Sequence, residues 1–200
     1  MNKVSALFLI ILGAIALLAL YQALFPISST IAIVRFLGLS AFFLLCISTM
    51  IGPLAVLWPK TYVVLIEPRR AVGISVFVFA LAHYLLVAAL YFNFDFPLLA
   101  SFLPNQLGFA GFAILLLLAA TANDWAVKSL GSQNWKRLQQ LVYVAFLFIF
   151  AHFLLVAQGN AEHTGSGYDL AQLGLIALGI ITIALQLAGF YVRRRGRAPF

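Results

Sequence analysis

The chain has 200 residues and a formal net charge of +7, with 64% of its residues hydrophobic and only 8% charged. Because soluble domains carry roughly 25% charged residues, this composition excludes an ordinary soluble protein and favours an integral membrane protein. The basic residues gather at the ends of apolar runs and not along a stripe, so nucleic acid is not an expected partner. Cys46 stands alone, which excludes an internal disulfide and the paired-cysteine motif of covalently attached haem.

Apolar runs of about 20 residues, the length needed to cross a bilayer core of about 30 Å, recur along the chain. They predict an all-α bundle of six transmembrane helices that forms one transmembrane domain over residues 1–200 and is surrounded by membrane lipid. The first run exceeds the usual 7–15-residue apolar region of a signal peptide, so we expect a retained helix. The predicted spans are about 4–24, 31–57, 69–92, 107–121, 135–158 and 170–192.

Several stretches at the ends of these spans predict local features: a bend, a surface segment and a loop. Gly52-Pro53 is expected to bend the far end of the second span. Residues 92–106 are rich in aromatic residues and prolines and are expected to lie on the membrane surface. Residues 159–168 are polar and small and predict a loop, in which His163 is interpreted as a solvated surface histidine.

Lysine and arginine fall on one side of the predicted bundle. That side holds Lys3, Lys60, Arg69, Arg70, Lys128, Lys136, Arg137 and the arginines at 193, 194, 195 and 197. The loops of the opposite side contain neither residue type, and only Arg35 borders them. Because short cytoplasmic loops carry the excess of basic residues, both termini and the basic loops are predicted to be cytoplasmic.

Two histidines lie inside predicted spans that run in the same direction. His83 is thirteen residues beyond Arg70, and His152 is fifteen residues beyond Arg137. At about 1.5 Å per helical residue, both imidazoles would lie roughly 20 Å from a basic anchor and at similar depth. Ionisable side chains within a membrane are rare, costly and usually functional. We therefore predict that His83 and His152 are the two metal ligands of a single bis-imidazole haem.

The same pattern leaves alternatives open for these side chains. A buried histidine can simply hydrogen-bond a neighbouring carbonyl. Arg35 lies one turn inside its span on the same outer side, and it either snorkels to the interface or reaches a haem propionate. Phenylalanines are expected to pack around a porphyrin. The candidates are Phe77, Phe79, Phe146, Phe148, Phe150 and Phe153.

Motifs from the third span to the fifth resemble the ferric reductase-like transmembrane domain, and most of all the membrane haem subunit family of bacterial periplasmic methionine sulfoxide reductase systems. The matching residues are Arg69-Arg70-x-x-Gly73, His83, Thr121, Leu130-Gly131, Trp135, Leu138, Val142-Tyr143 and His152. The resemblance implies that His83 and His152 are axial ligands of haem b. It also implies a multi-pass protein of the bacterial inner membrane that passes electrons toward a periplasmic or membrane acceptor.

One position departs from the pattern of the family. Where the family has a second histidine thirteen residues before the later ligand, this chain has Gln139, and glutamine is not a customary haem-iron ligand. We therefore expect one haem and not two. A flavin or a quinone near Gln139, Arg137 and Arg69 would then carry electrons to it, or electrons would arrive from within the membrane.

Two functions remain in competition at this stage. The first is a haem-bearing electron-transfer subunit that works with a separate redox partner, since residues 1–200 leave no room for a nucleotide-binding domain. The second is a non-catalytic accessory subunit of a larger membrane complex that keeps the fold with or without haem. A transporter is less favoured, because no inverted repeat or pair of broken helices is visible. Self-contained catalysis is also not expected, since no nucleophile triad or carboxylate pair is present.

Overall fold

The computed structural model describes residues 29–66, 68–164 and 168–195, with isolated helical positions at 9, 13, 16, 17 and 20. The described residues contain α-helices and one short 3₁₀ helix, Val63–Ile66, and no strand. The helices are α1 (Ser29–Leu57), α2 (Pro59–Tyr62), α3 (Arg69–Leu90), α4 (Phe96–Ala100), α5 (Leu103–Ala120), α6 (Asp124–Leu130), α7 (Ser132–Gln139), α8 (Val142–Thr164) and α9 (Leu170–Arg194).

Five helical segments are long and apolar enough to cross a membrane. They are Thr30–Leu57, Arg69–Leu90, Leu103–Ala120, Ser132–Gly159 and Leu170–Arg194. Each overlaps one of the five later predicted spans. The first predicted span, 4–24, lies almost wholly outside the described residues, so the count of six spans and the cytoplasmic position of both termini stay predictions. Pro53 lies inside α1, which continues through it to Leu57.

Two details of the predicted boundaries differ from the structure. The span predicted over 135–158 falls within the apolar segment Ser132–Gly159, in which a turn at 140–141 separates α7 from α8. The stretch 159–168 is not a loop throughout, because α8 continues to Thr164. Residues 159–164 are mostly polar, but they contain no proline, and their one glycine, at 159, weakens a helix without ending it. The backbone of His163 is therefore helical, and its side chain lies outside the described residues.

The surface connector predicted over 92–106 contains a short helix, α4, and the beginning of α5. Asp95 caps α4, since its Oδ1 accepts a hydrogen bond from the backbone N–H of Leu98 at 3.0 Å. Pro104 occupies the first turn of α5, where a missing backbone N–H costs nothing, so α5 begins at Leu103 and not near 107.

Two helix pairs dominate the packing of the bundle. Helix α1 packs along α3, and α5 packs along α8, while α9 covers the other side of α1. The core lies mainly between α1 and α8. Its buried residues are Phe42, Leu45, Cys46, Val76, Leu115, Ala145, Phe146, Phe150 and Phe153. The ring of Phe42 stacks on those of Phe150 and Phe153, with centroids 5.5 and 4.9 Å apart. Within a membrane such close packing, more than the expulsion of water, holds helices together.

Replacing Phe150 by alanine is expected to lower the free energy of unfolding by about 3–5 kcal/mol, because the ring leaves a cavity against Phe42 and α9. Phe43→Ala is the matched control, since the Phe43 side chain is 41% exposed on the outside of α1. Unfolding of both variants in detergent, followed by circular dichroism, measures the difference. Equal losses for Phe150→Ala and Phe43→Ala would contradict this description of the core.

Candidate cofactor site

His83 and His152 line the same cavity. His83 comes from α3 and His152 from α8, and the cavity between them encloses about 1090 Å³ of empty space when its open mouth is included. Aromatic side chains form much of the wall. They are Phe42, Tyr84, Phe109, Phe112 and Phe153.

Of the six phenylalanines predicted to surround a porphyrin, only Phe153 lines this cavity. Phe146 and Phe150 belong to the packed core instead. Helix α5 contributes two of the five aromatic side chains of the wall, Phe109 and Phe112, which the sequence did not single out. No spacing argument identifies them, because the face that α5 turns toward the histidines depends on how α5 packs against α8.

Both imidazoles are fixed by a backbone carbonyl of a neighbouring helix. His83 Nδ1 lies 2.9 Å from the oxygen of Val34 on α1, and His152 Nδ1 lies 2.7 Å from the oxygen of Pro104 on α5. Because a carbonyl can only accept, each Nδ1 must carry the hydrogen and donate it. The lone pair of each neutral ring then lies on Nε2. This is the arrangement in which histidine binds metals, with one nitrogen oriented by a carbonyl and the other free to ligate.

Arg35 lines the same cavity from α1. Its guanidinium pairs with the carboxylate of Asp169, and its side chain is 27% exposed. The Nε of Arg35 is buried and has no hydrogen-bond partner. Leaving a buried donor unsatisfied is costly, and a charged donor more so, so an anionic or carbonyl acceptor would satisfy this nitrogen.

Further polar groups mark the end of the cavity near Arg35. Asn105 and Gln172 line it, and Gln172 accepts a hydrogen bond from the backbone N–H of Asp169 at 3.0 Å. Asp169 in turn accepts from the backbone N–H of Gln172 at 2.8 Å and so caps α9. The cavity is therefore polar at the end where α1, α5 and α9 begin. Its interior, where the histidines lie, is lined by aromatic and aliphatic side chains.

Gln139, Arg137 and Arg69, predicted to border a flavin or quinone site, have other surroundings in the structure. Gln139 Nε2 donates to the hydroxyl of Thr121 at 3.2 Å, and Arg69 Nε donates to the carbonyl of Ser48 at 3.0 Å. The side chain of Arg137 is exposed. These three residues line neither the histidine cavity nor the second cavity of the bundle.

The second cavity lies between α1, α8 and α9 and encloses about 1110 Å³ of empty space, again including its open part. Its polar side chains are Thr49, Gln140, Tyr143, Thr182, Gln186 and Arg193. Phe146 lines this cavity, while Phe42 and Phe153 line the histidine cavity. The ring of Phe42 stacks on that of Phe146 with centroids 6.0 Å apart, so only a few aromatic rings separate the two cavities.

Sequence comparison gives a family match and several relatives. The family model described as "Ferric reductase like transmembrane component" matches residues 31–150, a range that includes His83 and ends two residues before His152. The "Protein-methionine-sulfoxide reductase heme-binding subunit MsrQ" of Agrobacterium fabrum is 35% identical over 127 residues, which are 60% of this chain and 55% of that protein. The protein of the same name from Brucella ovis is 30% identical over 123 residues, 60% of this chain and 54% of its own length.

A third relative is longer. "Magnetosome protein MamZ" of Magnetospirillum gryphiswaldense is 32% identical over 148 residues, which are 72% of this chain but 22% of that protein. The chain thus spans about half the length of the two MsrQ proteins and about a fifth of MamZ.

Proposed function

Because this multi-pass membrane protein belongs to the ferric reductase-like transmembrane family, we propose that it is a membrane electron-transfer subunit that holds one haem b between His83 and His152. A single observation carries the proposal. Two imidazoles from separate helices line one cavity, and the Nδ1 of each donates to a carbonyl, which leaves both Nε2 lone pairs for a metal. The names of the MsrQ relatives support haem as the ligand.

The residues of the cavity fit a haem. Nε2 of His83 and of His152 would hold the haem iron, and the buried Nε of Arg35 would donate to a propionate. Asp169 holds the guanidinium of Arg35 at the polar end of the cavity. Aromatic side chains from four helices line the cavity together with the imidazoles. A bound haem would supply reversible one-electron transfer, while the protein supplies binding, orientation and electrostatics.

We place the histidine cavity in the outer half of the bilayer. His83 lies toward the end of α3 opposite Arg69 and Arg70, and the basic side chains at 193–195 end α9 on that same basic side. The positive-inside rule assigns the basic side to the cytoplasm of a bacterial inner membrane, with both termini inside. Electrons would then leave toward a periplasmic or membrane acceptor through a separate redox partner, as the word subunit in the name of the MsrQ relatives suggests.

The binding site of the electron donor is better placed in the second cavity than around Gln139. The amide of Gln139 is already bonded to Thr121, whereas the second cavity offers an apolar wall and several polar groups to a flavin or a quinone. The stacked rings of Phe146, Phe42 and Phe153 connect its wall with that of the histidine cavity. A donor bound there would lie on the basic, cytoplasmic side of the haem.

The test is the absorption spectrum of the purified full chain. We expect a Soret band, a low-spin bis-histidine spectrum, and a pyridine haemochrome assay that gives one haem b per chain. Reduced flavin or a short-chain quinol added to the same sample should then reduce the haem. Colourless protein that co-purifies stoichiometrically with a larger membrane complex would instead support the accessory role, which the replacement of the inner histidine by Gln139 favours.

A further inference from the structure

Each histidine ring of the cavity lies directly against a glycine of the neighbouring helix. A Cβ added to Gly38 on α1 would lie 2.9 Å from His83 Cε1 and 3.0 Å from His83 Nδ1. A Cβ added to Gly108 on α5 would lie 2.9 Å from His152 Nδ1. Real Cβ atoms essentially never approach a neighbour this closely, so alanine at either position would force the ring to move.

The two glycines hold the same position relative to the carbonyl that each histidine contacts. His83 donates to Val34, four residues before Gly38, and His152 donates to Pro104, four residues before Gly108. In an α-helix the carbonyl of residue i accepts the N–H of residue i+4, so each glycine already bonds the oxygen that the imidazole shares. A carbonyl oxygen has two lone pairs, so it can accept a second hydrogen bond. The imidazole reaches the second lone pair across the surface of residue i+4. A side chain at i+4 would close that path.

We propose that Gly38 and Gly108 are positioning residues that open the Val34 and Pro104 carbonyls to the imidazoles and thereby orient Nε2 of both histidines toward one metal. The inference rests on the proposed haem, but it concerns the chain's own hydrogen bonds. The same arrangement occurs independently on two helix pairs, α1 with α3 and α5 with α8. Packing alone explains a close glycine, but it does not explain why Nδ1, the nitrogen that donates to the carbonyl, is among the two nearest atoms in both cases; Nε2 of His83 lies further away, 3.3 Å from a Cβ added to Gly38.

The test is alanine at each glycine. Gly38→Ala and Gly108→Ala should each lower haem affinity about 10–100-fold, the usual effect of losing a partner that orients a metal ligand. Haem that remains should show altered low-spin g values and a more positive midpoint potential, because an imidazole that loses its carbonyl partner is a less basic ligand. In haem-free protein, ¹⁵N NMR of labelled histidine should report Nδ1–H in the parent chain and a changed tautomer mixture in the variants.

Two control variants separate positioning from packing. Gly174→Ala on α9 adds a methyl group where nothing lies within 4 Å, and Gly179→Ala adds one 2.7 Å from Phe150 Cε2, away from the histidines. We expect Gly174→Ala to change nothing and Gly179→Ala to lower stability without changing the histidine tautomer. Alanine has a higher helix propensity than glycine, so a backbone defect is not expected in any of the variants.

Each outcome decides the inference. Unchanged haem affinity, g values and tautomer in Gly38→Ala and Gly108→Ala overturn it, as do changes matched by Gly179→Ala. Failure of both variants to fold, while both controls fold, also overturns it, because the glycines would then serve packing alone. A parent chain that binds no haem but shows the Nδ1–H tautomer, lost in the variants, would overturn the proposed function and keep the positioning role.

Discussion

Replacing His83 or His152 by alanine is expected to remove the low-spin bis-histidine spectrum. With one of the two proposed ligands gone, the remaining histidine would hold haem more weakly, so haem occupancy of the purified chain should fall by more than about tenfold. Loss of a group that merely orients a metal ligand already costs about 10–100-fold, and loss of the ligand itself should exceed that. Absorption and electron paramagnetic resonance spectra of the two variants measure the effect, together with haem content per chain.

His163→Ala is the matched control, because it removes the only other histidine of the 200 residues. Its spectrum should equal that of the parent chain. Glycine at position 83 or 152, with imidazole added from solution, should partly restore the low-spin signal, since a free ligand can occupy the vacated position. A parent-like spectrum in either alanine variant would overturn the assignment of that histidine as a ligand.

Replacing Arg35 by glutamine is expected to weaken haem binding about 10–100-fold. Hydrogen bonds to charged groups contribute about 1.5–3 kcal/mol, and the buried Nε of Arg35 is the donor that we assign to a propionate. Haem titration into the haem-free protein, compared between the parent chain and Arg35→Gln, measures the loss. Arg35→Lys should recover only part of it, because a lysine lacks the fixed fork of donors of a guanidinium.

Asp169→Asn separates the cofactor role of Arg35 from its ion pair. Asparagine caps a helix about as well as aspartate, so this variant keeps the start of α9 while removing the charge. If Arg35 serves a propionate, Asp169→Asn should retain haem with unchanged or tighter binding, since the guanidinium then has one acceptor fewer. Equal losses in Arg35→Gln and Asp169→Asn, with no further loss in the double variant, would assign Arg35 to the ion pair alone.

Hydrophobic length and charge placement predicted much of this architecture, because both act locally along the chain. The span predicted over 31–57 corresponds to α1, and the one predicted over 170–192 corresponds to α9. Boundaries differed from the structure where a local signal was weak. No glycine or proline marks the turn after Gln139, and polar composition past Gly159 suggested a loop in a stretch that is helical to Thr164.

The position of the two histidines could be predicted from the sequence, but their supports could not. Equal depth of His83 and His152 along parallel spans predicts that they lie near each other, and they line one cavity. Gly38 and Gly108 are two of fourteen glycines, and only the register between helices distinguishes them from the rest. The ion pair of Asp169 with Arg35 could not be predicted from the sequence either, since the two residues are far apart in the chain.

The anchoring of the imidazoles has a consequence for assembly. His83 is tied to its own helix pair, α1 with α3, and His152 to the other pair, α5 with α8. Contacts within each pair are more extensive than those from one pair to the other. A metal that binds both rings would therefore link the two helix pairs, each of which is held together by its own contacts. Insertion of the cofactor would then complete the bundle, and chains awaiting it would be the ones most open to proteolysis at the seam between the two pairs.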